Sequence, residues 1–266
     1  MNISPISLAF KKCKDEKRSA LVTYTVSGDP SKKVSLDILK SISKNADIIE
    51  LGFAHNTPIA DGGEIQNSSY RAIKNGTKIN DTFQIVKKFK NSKYVKPLIL
   101  MGYWNLILQY GENKFIKKCK KSGVNGLIVV DLPYPENIKF SNKCRKSGII
   151  FVQLLSPTTS LKRMRKIIKD SHMLYYISML STTGGKLKVS PKKILKNYKK
   201  IKKIAKSKNC VIGFGITSKN ISSFKSADGC VVGSEICKKI SNSIKKEQNP
   251  VTNVNSMVKK LKRKLS

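Results

Sequence analysis

The sequence predicts an α/β protein folded as one (β/α)8 TIM barrel, a single domain over residues 1–266, and three observations carry the prediction. Eight short runs rich in Val, Ile, Leu and aromatic residues recur along the chain, most of them closed by glycine, proline or small polar residues. Between them lie stretches whose apolar residues return at helical spacing. At 266 residues the chain is close to the about 250 residues typical of an eightfold βα barrel. A doubly wound sheet shares the alternation but runs more often to about five or six strands.

Each element has its own local reason. A weak amphipathic pattern over 3–14 precedes Leu21-Val22-Thr23-Tyr24-Thr25-Val26, a β-branched run that forms the first strand (21–26) and stops at Ser27-Gly28-Asp29-Pro30. Val34, Ile38, Leu39 and Ile42 then follow helical spacing up to Asn45. The second strand covers 46–53. A helical pattern over 71–90, broken near Gly76, leads to the third strand, 97–103, with Leu98-Ile99-Leu100-Met101 at its centre. Helices over 115–122, 137–147 and 161–169 alternate with strands over 126–132, 149–155 and 173–178. A polar loop, Ser181-Thr182-Thr183-Gly184-Gly185-Lys186, follows the sixth strand. A helix over 194–205, strands over 210–216 and 229–234, and a basic helix over 254–265 complete the pattern.

A net charge of +37 would ordinarily point to nucleic acid or an anionic membrane. Its distribution argues against both. Arginine is confined to positions 18, 71, 145, 163, 165 and 263, while lysines recur along every polar segment. Nucleic-acid readers depend on arginine forks and aromatic platforms, so scattered lysine reads as a solvated surface, with no nucleic-acid partner. No apolar stretch approaches the roughly 18 residues of a membrane span, and the start carries no signal peptide. Six widely spaced cysteines, without a Cys-x-x-Cys or a histidine cluster, suit reduced structural thiols in the cytoplasm and no metal site.

Active sites of such barrels lie at the C-terminal ends of the strands. Glu50, Asp61, Tyr103, Asp131, Tyr175, Gly184, Phe214, Gly215, Gly233 and Ser234 all map to that end. Glu50 lies in a buried run beside Ile48, Ile49 and Leu51, where a charge is costly unless it has a partner or a task. Asp61, between Ala60 and Gly62, can bend back towards it, and two carboxylates at one pocket are candidates for an acid and base pair. The bland alternative pairs Glu50 with a lysine and uses Asp61 to cap a helix starting near Gln66. The tyrosines can equally be core aromatics, and Asp131 a turn residue before Pro133. Gly213-Phe214-Gly215 and Gly233-Ser234 end strands seven and eight, where barrels often hold a phosphate: glycine lets N–H groups approach the anion, and a following helix N-terminus adds positive charge. This reading predicts a small phosphorylated substrate held chiefly by neutral backbone donors, with its reacting end towards strand two.

The chain resembles the tryptophan synthase alpha chain family from about Leu21 to Gly233. The resemblance rests on Glu50-Leu51-Gly52, Pro58, Ala60-Asp61-Gly62 and Ile65-Gln66 at the family's spacing. It extends through Gly28-Asp29-Pro30, Leu100-Met101 with Tyr103, Asp131-Leu132-Pro133, Thr183-Gly184, Gly213-Phe214-Gly215-Ile216 and Val232-Gly233-Ser234. It implies cleavage of indole-3-glycerol phosphate to indole and glyceraldehyde 3-phosphate. Glu50 would protonate indole C3 and take the glycerol hydroxyl proton, and Asp61 would handle the indole N–H. Tyr24, Phe53, Ile65, Leu100 or Met101 would wall the indole pocket, and Tyr175 and Thr183 would lie near the reacting atoms. Gly184, Phe214, Gly215, Gly233 and Ser234 would hold phosphate. The resemblance further implies no cofactor in this chain, a beta-subunit partner carrying pyridoxal phosphate, and an α2β2 assembly.

The departures from the family pattern are local. Ala54-His55-Asn56-Thr57 stands where the family has Pro-Phe-Ser-Asp, and Thr57 cannot make the salt bridge that the family's Asp makes to the beta subunit. Ser181, Val26 and Gly63 replace a usual glycine, threonine and proline. Other expectations to be weighed are an alpha-like protein that chiefly activates its partner and a different phosphosugar barrel. A synthase acting on the same class of compound would carry lysines at strand ends, and none occupies them here.

Overall fold

A computed structural model describes residues 3–178 and 189–266. Helix α1 (Pro5–Asp15) precedes β1 (Ala20–Val26), and α2 (Lys32–Ile42) leads to β2 (Ile48–Gly52). Two helices, α3 (Gly63–Lys74) and α4 (Ile79–Lys90), precede β3 (Leu98–Gly102), and two more, α5 (Trp104–Tyr110) and α6 (Glu112–Ser122), precede β4 (Gly126–Val129). The chain continues through α7 (Ile138–Lys146), β5 (Ile150–Leu155), α8 (Leu161–Lys169), β6 (Met173–Ile177), α9 (Pro191–Ile204) and β7 (Asn209–Gly213). A short 3-10 turn (Ile221–Phe224) then precedes β8 (Gly229–Val232), and α10 (Ser234–Lys245) and α11 (Pro250–Arg263) follow. The strands pair in chain order, and β8 returns parallel to β1 to close the barrel.

Strand alternation divides the apolar residues between two layers. Val22, Tyr24, Ile48, Ile99, Met101, Val152, Tyr175, Val211 and Val231 share the barrel interior. Leu21, Ile49, Leu51, Leu100, Leu174 and Ile212 belong to a second cluster, packed with the helices. Helix α2 shows how the outer layer forms. Ser31 caps it by accepting the Val34 N–H at 3.2 Å, and Ile38, Leu39 and, one turn on, Ile42 are wholly buried. Each such side chain contributes about 1.5–3 kcal/mol relative to an exposed one.

The floor of the barrel is closed by ions. Asp47, immediately before β2, accepts both guanidinium nitrogens of Arg18 at 2.8 and 2.9 Å, the Lys262 ammonium at 2.6 Å and the Leu21 N–H at 2.8 Å. Residues distant in sequence are thereby tied together, and α11 is fastened to the first two strands.

The elements differ from the sequence pattern in several places. The break expected near Gly76 is present, at a φ of +69°, but α3 begins at Gly63, well before Arg71. Strand four ends at Val129, so Asp131 lies in a turn, and Phe214 and Gly215 lie beyond the end of β7 with φ of +67° and +70°. Helices α5 and α10 have no counterpart in the sequence reading. Gly233 and Ser234, expected inside the last strand, are instead the N-cap and first residue of α10.

Candidate active site

The mouth of the barrel holds a cavity of about 600 Å³ whose lining runs from Tyr24, Glu50, Ile65, Met101 and Tyr175 to Phe214, Gly215, Gly233 and Ser234. It therefore joins the two ends that the sequence assigns to reaction and to phosphate. Register explains the reacting end: Tyr24 on β1 stands beside Glu50 on β2, and Glu50 beside Ile99 on β3. Side chains two apart along a strand share a face, so Glu50 points inward with Ile48.

Glu50 is 1% exposed, and no described residue forms an ion pair with it. The lysine partner of the bland reading is absent among the described residues. Burial first, and the Asp61 charge second, push the Glu50 carboxyl up from 4.5 to about 8. At neutral pH it therefore carries a proton that it can donate.

Asp61 is 3% exposed, and Tyr103 donates its hydroxyl to Asp61 Oδ2 at 3.0 Å. The same hydroxyl oxygen accepts the Ala60 N–H at 3.1 Å, so Tyr103 positions the acid and its loop together. Burial, then Asp61, push the Tyr103 phenol far up, which keeps it a donor. Asp61 does not cap the next helix: α3 starts at Gly63 behind Gly62, with no side-chain cap bond. The Asp61 carbonyl accepts Gln66 Nε2 at 2.7 Å. Tyr24 and Tyr175 are both buried, and their phenols are pushed well up by burial and then by the Asp61 and Glu50 charges. The Tyr24 hydroxyl lies against Gly52 and that of Tyr175 against Gly213, where any β-carbon would collide.

The phosphate end is built from the turn after β7 and the first turn of α10. Ser178 donates to the Phe214 carbonyl at 2.6 Å, and Asn220 donates to the Gly215 carbonyl at 2.9 Å, so both sides of the left-handed turn are held. Glu235 accepts the Ser218 N–H and hydroxyl, both at 2.6 Å, and ties the turn to α10.

Not every expected residue reaches the cavity. Leu100 lies in the outer layer, because strand alternation sends Met101 inward and its neighbour towards the helices. Phe53 also leaves the interior and stacks edge-on against Phe115 at 5.8 Å. Asp131 is exposed and accepts the Trp104 N–H at 2.7 Å, which makes it the N-terminal anchor of α5, as its turn reading has it. Neither Tyr103 nor Asp61 is on the cavity wall; Asp61 lies buried behind it, near enough for its charge to help raise Glu50. Thr183, Gly184 and Ser181 lie outside the described residues. His55 stacks on Tyr103 at 4.9 Å between ring centres, and its Nδ1 accepts the Thr57 N–H at 2.9 Å.

Sequence reasoning missed Glu64, Thr217, Lys219, Asn220, Glu235 and Lys238, all on the cavity wall. Lys238 had a signal, since it lies four residues after Ser234, one helical turn on. Thr217-Ser218-Lys219-Asn220 also had one: polar turn residues directly after a glycine end. Among the described residues no group of three or more His, Cys, Asp or Glu side chains is arranged to hold a metal ion.

Comparison with known proteins is consistent along the chain. The family model for the tryptophan synthase alpha chain matches residues 10–266. The tryptophan synthase alpha chain of Pelagibacter ubique (strain HTCC1062) is 70% identical over 265 residues, covering 99% of this chain and 100% of the relative. That of Methanocaldococcus jannaschii is 36% identical over 241 residues, covering 89% and 84%. Among solved structures, tryptophan synthase subunit alpha from Legionella pneumophila str. Paris superposes with a TM-score of 0.91 at 28% identity, over 99% of both chains. A chain of the tryptophan synthase complex from Pyrococcus furiosus gives 0.80 at 33% identity, over 92% of this chain and 98% of that one.

Proposed function

The chain belongs to the tryptophan synthase alpha chain family, and from that premise we propose that Glu50 is the proton carrier and Asp61 its electrostatic partner in the lyase reaction. The reaction converts indole-3-glycerol phosphate to indole and glyceraldehyde 3-phosphate. The bond from indole C3 to the glycerol chain breaks only after C3 has taken a proton and the ring has become an indolenine. Glu50, protonated near neutrality, supplies that proton. Asp61, kept in place by Tyr103, stabilises the positive charge that develops at the ring nitrogen. The carboxylate left on Glu50 then accepts the proton of the side-chain hydroxyl next to C3. As the carbonyl forms there, the electron pair of the breaking bond returns to the ring, and the net change moves one proton from oxygen to carbon. Met101, Ile65 and Tyr24 offer the apolar wall for the ring. The Gly215 turn and the α10 N-terminus offer N–H groups and a hydroxyl to the phosphate.

The observation that carries this reading is the buried Glu50 carboxyl, raised to about 8, in the same cavity as the glycine-lined helix N-terminus. Indole release from indole-3-glycerol phosphate tests it. Glu50→Gln should lower the rate by about 10²–10⁴-fold while the fold persists, and a rate within tenfold of the parent would remove Glu50 from the mechanism.

The partner is the beta subunit, which carries pyridoxal phosphate for its own reaction, in an α2β2 assembly; the Pyrococcus relative is described as a complex. No cofactor is assigned to this chain. His55 and Thr57, on the loop that carries Asp61, are the residues through which the partner would be felt. A cytoplasmic setting fits six free, buried cysteines, and among the described residues no helix is long and apolar enough to cross a membrane.

A further inference from the structure

We propose that Lys238 is a phosphate-specificity residue that exchanges Glu64 for the substrate's phosphate when the cavity fills; this rests on the phosphate end described above. The cavity wall carries two carboxylates, Glu64 and Glu235, close to where a dianion must settle. Glu235 is already committed, with both oxygens accepting from Ser218. Glu64, in the first turn of α3, has Lys238 Nζ 4.0 Å from its Oε1. That separation is the outer limit of an ion pair, and the side chains of Lys238 and Glu64 are 60% and 33% exposed. Such a pair is weak and easily exchanged.

Of the fifty-three basic residues, Lys219 and Lys238 line the cavity, and Lys238 is the one on α10 that faces a carboxylate across it. Side chains on a helix lean towards its N-terminus, so a residue one turn after Ser234 projects its stem back over the first turn of α10. The four-carbon stem lets the ammonium reach either Glu64 on one wall or an anion at the helix N-terminus. Glu64 then serves as the resting counter-ion. It holds the lysine beside the cavity while the site is empty, and it discourages singly charged anions that offer Lys238 too little to leave it. Turnover is not involved, because the phosphate lies at the far end from Glu50.

Steady-state cleavage of indole-3-glycerol phosphate by the full chain, with five single variants and one double variant, tests the exchange. Lys238→Met should raise KM about tenfold and leave kcat within about twofold, and Lys238→Arg should restore most of the loss. Glu64→Gln should lower KM in the parent background but not in Lys238→Met. Lys259→Met, on the exposed face of α11, should leave KM as it is. Three results overturn the proposal: an unchanged KM in Lys238→Met, an equal rise in Lys259→Met, or a Glu64→Gln effect of the same size in both backgrounds. The last would mean that Glu64 simply repels phosphate. Gly233→Asp separates this from the parent reading: if it too leaves KM unchanged, the phosphate end itself is misassigned.

Discussion

Asp47 and Glu50 stand three residues apart, just before β2 and in the middle of it, and the barrel treats them in opposite ways. At the floor, burial alone would raise the Asp47 carboxyl, but hydrogen bonds from Arg18 and Lys262 more than offset it and hold it below its ordinary value of 3.8. At the mouth, Glu50 has no cation among the described residues, and burial together with Asp61 raises it to about 8. The floor carboxylate is ionised and fully bonded, so it binds elements together. The mouth carboxyl keeps its proton and stays available to a substrate. A buried acid therefore does structural or chemical work according to whether the fold supplies it with cations.

The contrast can be broken most severely at the mouth. Asp61→Asn should cut indole release by about 10²–10⁴-fold, because the ring nitrogen loses its counter-charge. Substrate should still bind through its phosphate, and a variant that turns over normally once saturated would show that Asp61 serves only the loop.

At the floor, Asp47→Asn leaves Arg18 and Lys262 facing each other without a shared anion. A loss of about 3–5 kcal/mol in unfolding free energy at neutral pH is expected, the cost of breaking a buried pair from one side. Because the folded value is depressed, this stabilisation is present above 3.8 and disappears as pH falls through the folded value. Denaturant titrations should find the gap between parent and variant closing in acid, and a gap independent of pH would mean that shape and not charge is at stake.

Glu50 has the opposite sign. Its folded value exceeds the unfolded one, so the folded state holds the proton more tightly and the parent loses stability as pH rises from 4.5 to about 8. Glu50→Gln does not titrate. Its advantage over the parent should grow across that window and level off above it, reaching a few kcal/mol in order of magnitude. Parallel thermal melts at pH 5 and pH 9 measure this directly, and an equal difference at both would place Glu50 in a far wetter site.

The smallest change tests the support of the mouth. Tyr103→Phe removes one hydrogen bond to Asp61 and one acceptor for Ala60, worth about 1 kcal/mol each. A loss of several-fold in kcat with little change in KM is expected. Unaltered turnover would mean that the loop holds Asp61 without help.

Much of the mouth was legible from residue order, whereas the role of Asp47 at the floor was not. The run Ile48-Ile49-Glu50-Leu51 marks a charge inside a strand, and Gly213-Phe214-Gly215 and Gly233-Ser234 mark the ends where backbone donors gather. Leu98-Ile99-Leu100-Met101 was less informative. A strand buried on both faces shows no alternation, so which residue enters the barrel depends on its pairing with β2 and β4. Helix α10 escaped notice because Ser234 closes an apolar strand and opens a helix at once. With it went Lys238, whose spacing of four from Ser234 becomes a signal once that stretch is known to be a helix. Asp131 had two plausible tasks, and only the position of the Trp104 N–H decides for the structural one.

What residue order determined by itself is local: where strands and helices alternate, where glycine permits tight turns, and that an acid occupies an apolar run. Each follows from period, side-chain shape and backbone freedom within a few residues. The tertiary structure alone decided that Asp47 meets Arg18 and Lys262 from opposite ends of the chain while Glu50 meets no cation among the described residues. It also decided that two lysines among many, Lys219 and Lys238, stand beside the phosphate end. A carboxyl's proton affinity is set by the dielectric and charges within a few ångströms, and in a closed barrel those neighbours come from strands far apart in the sequence.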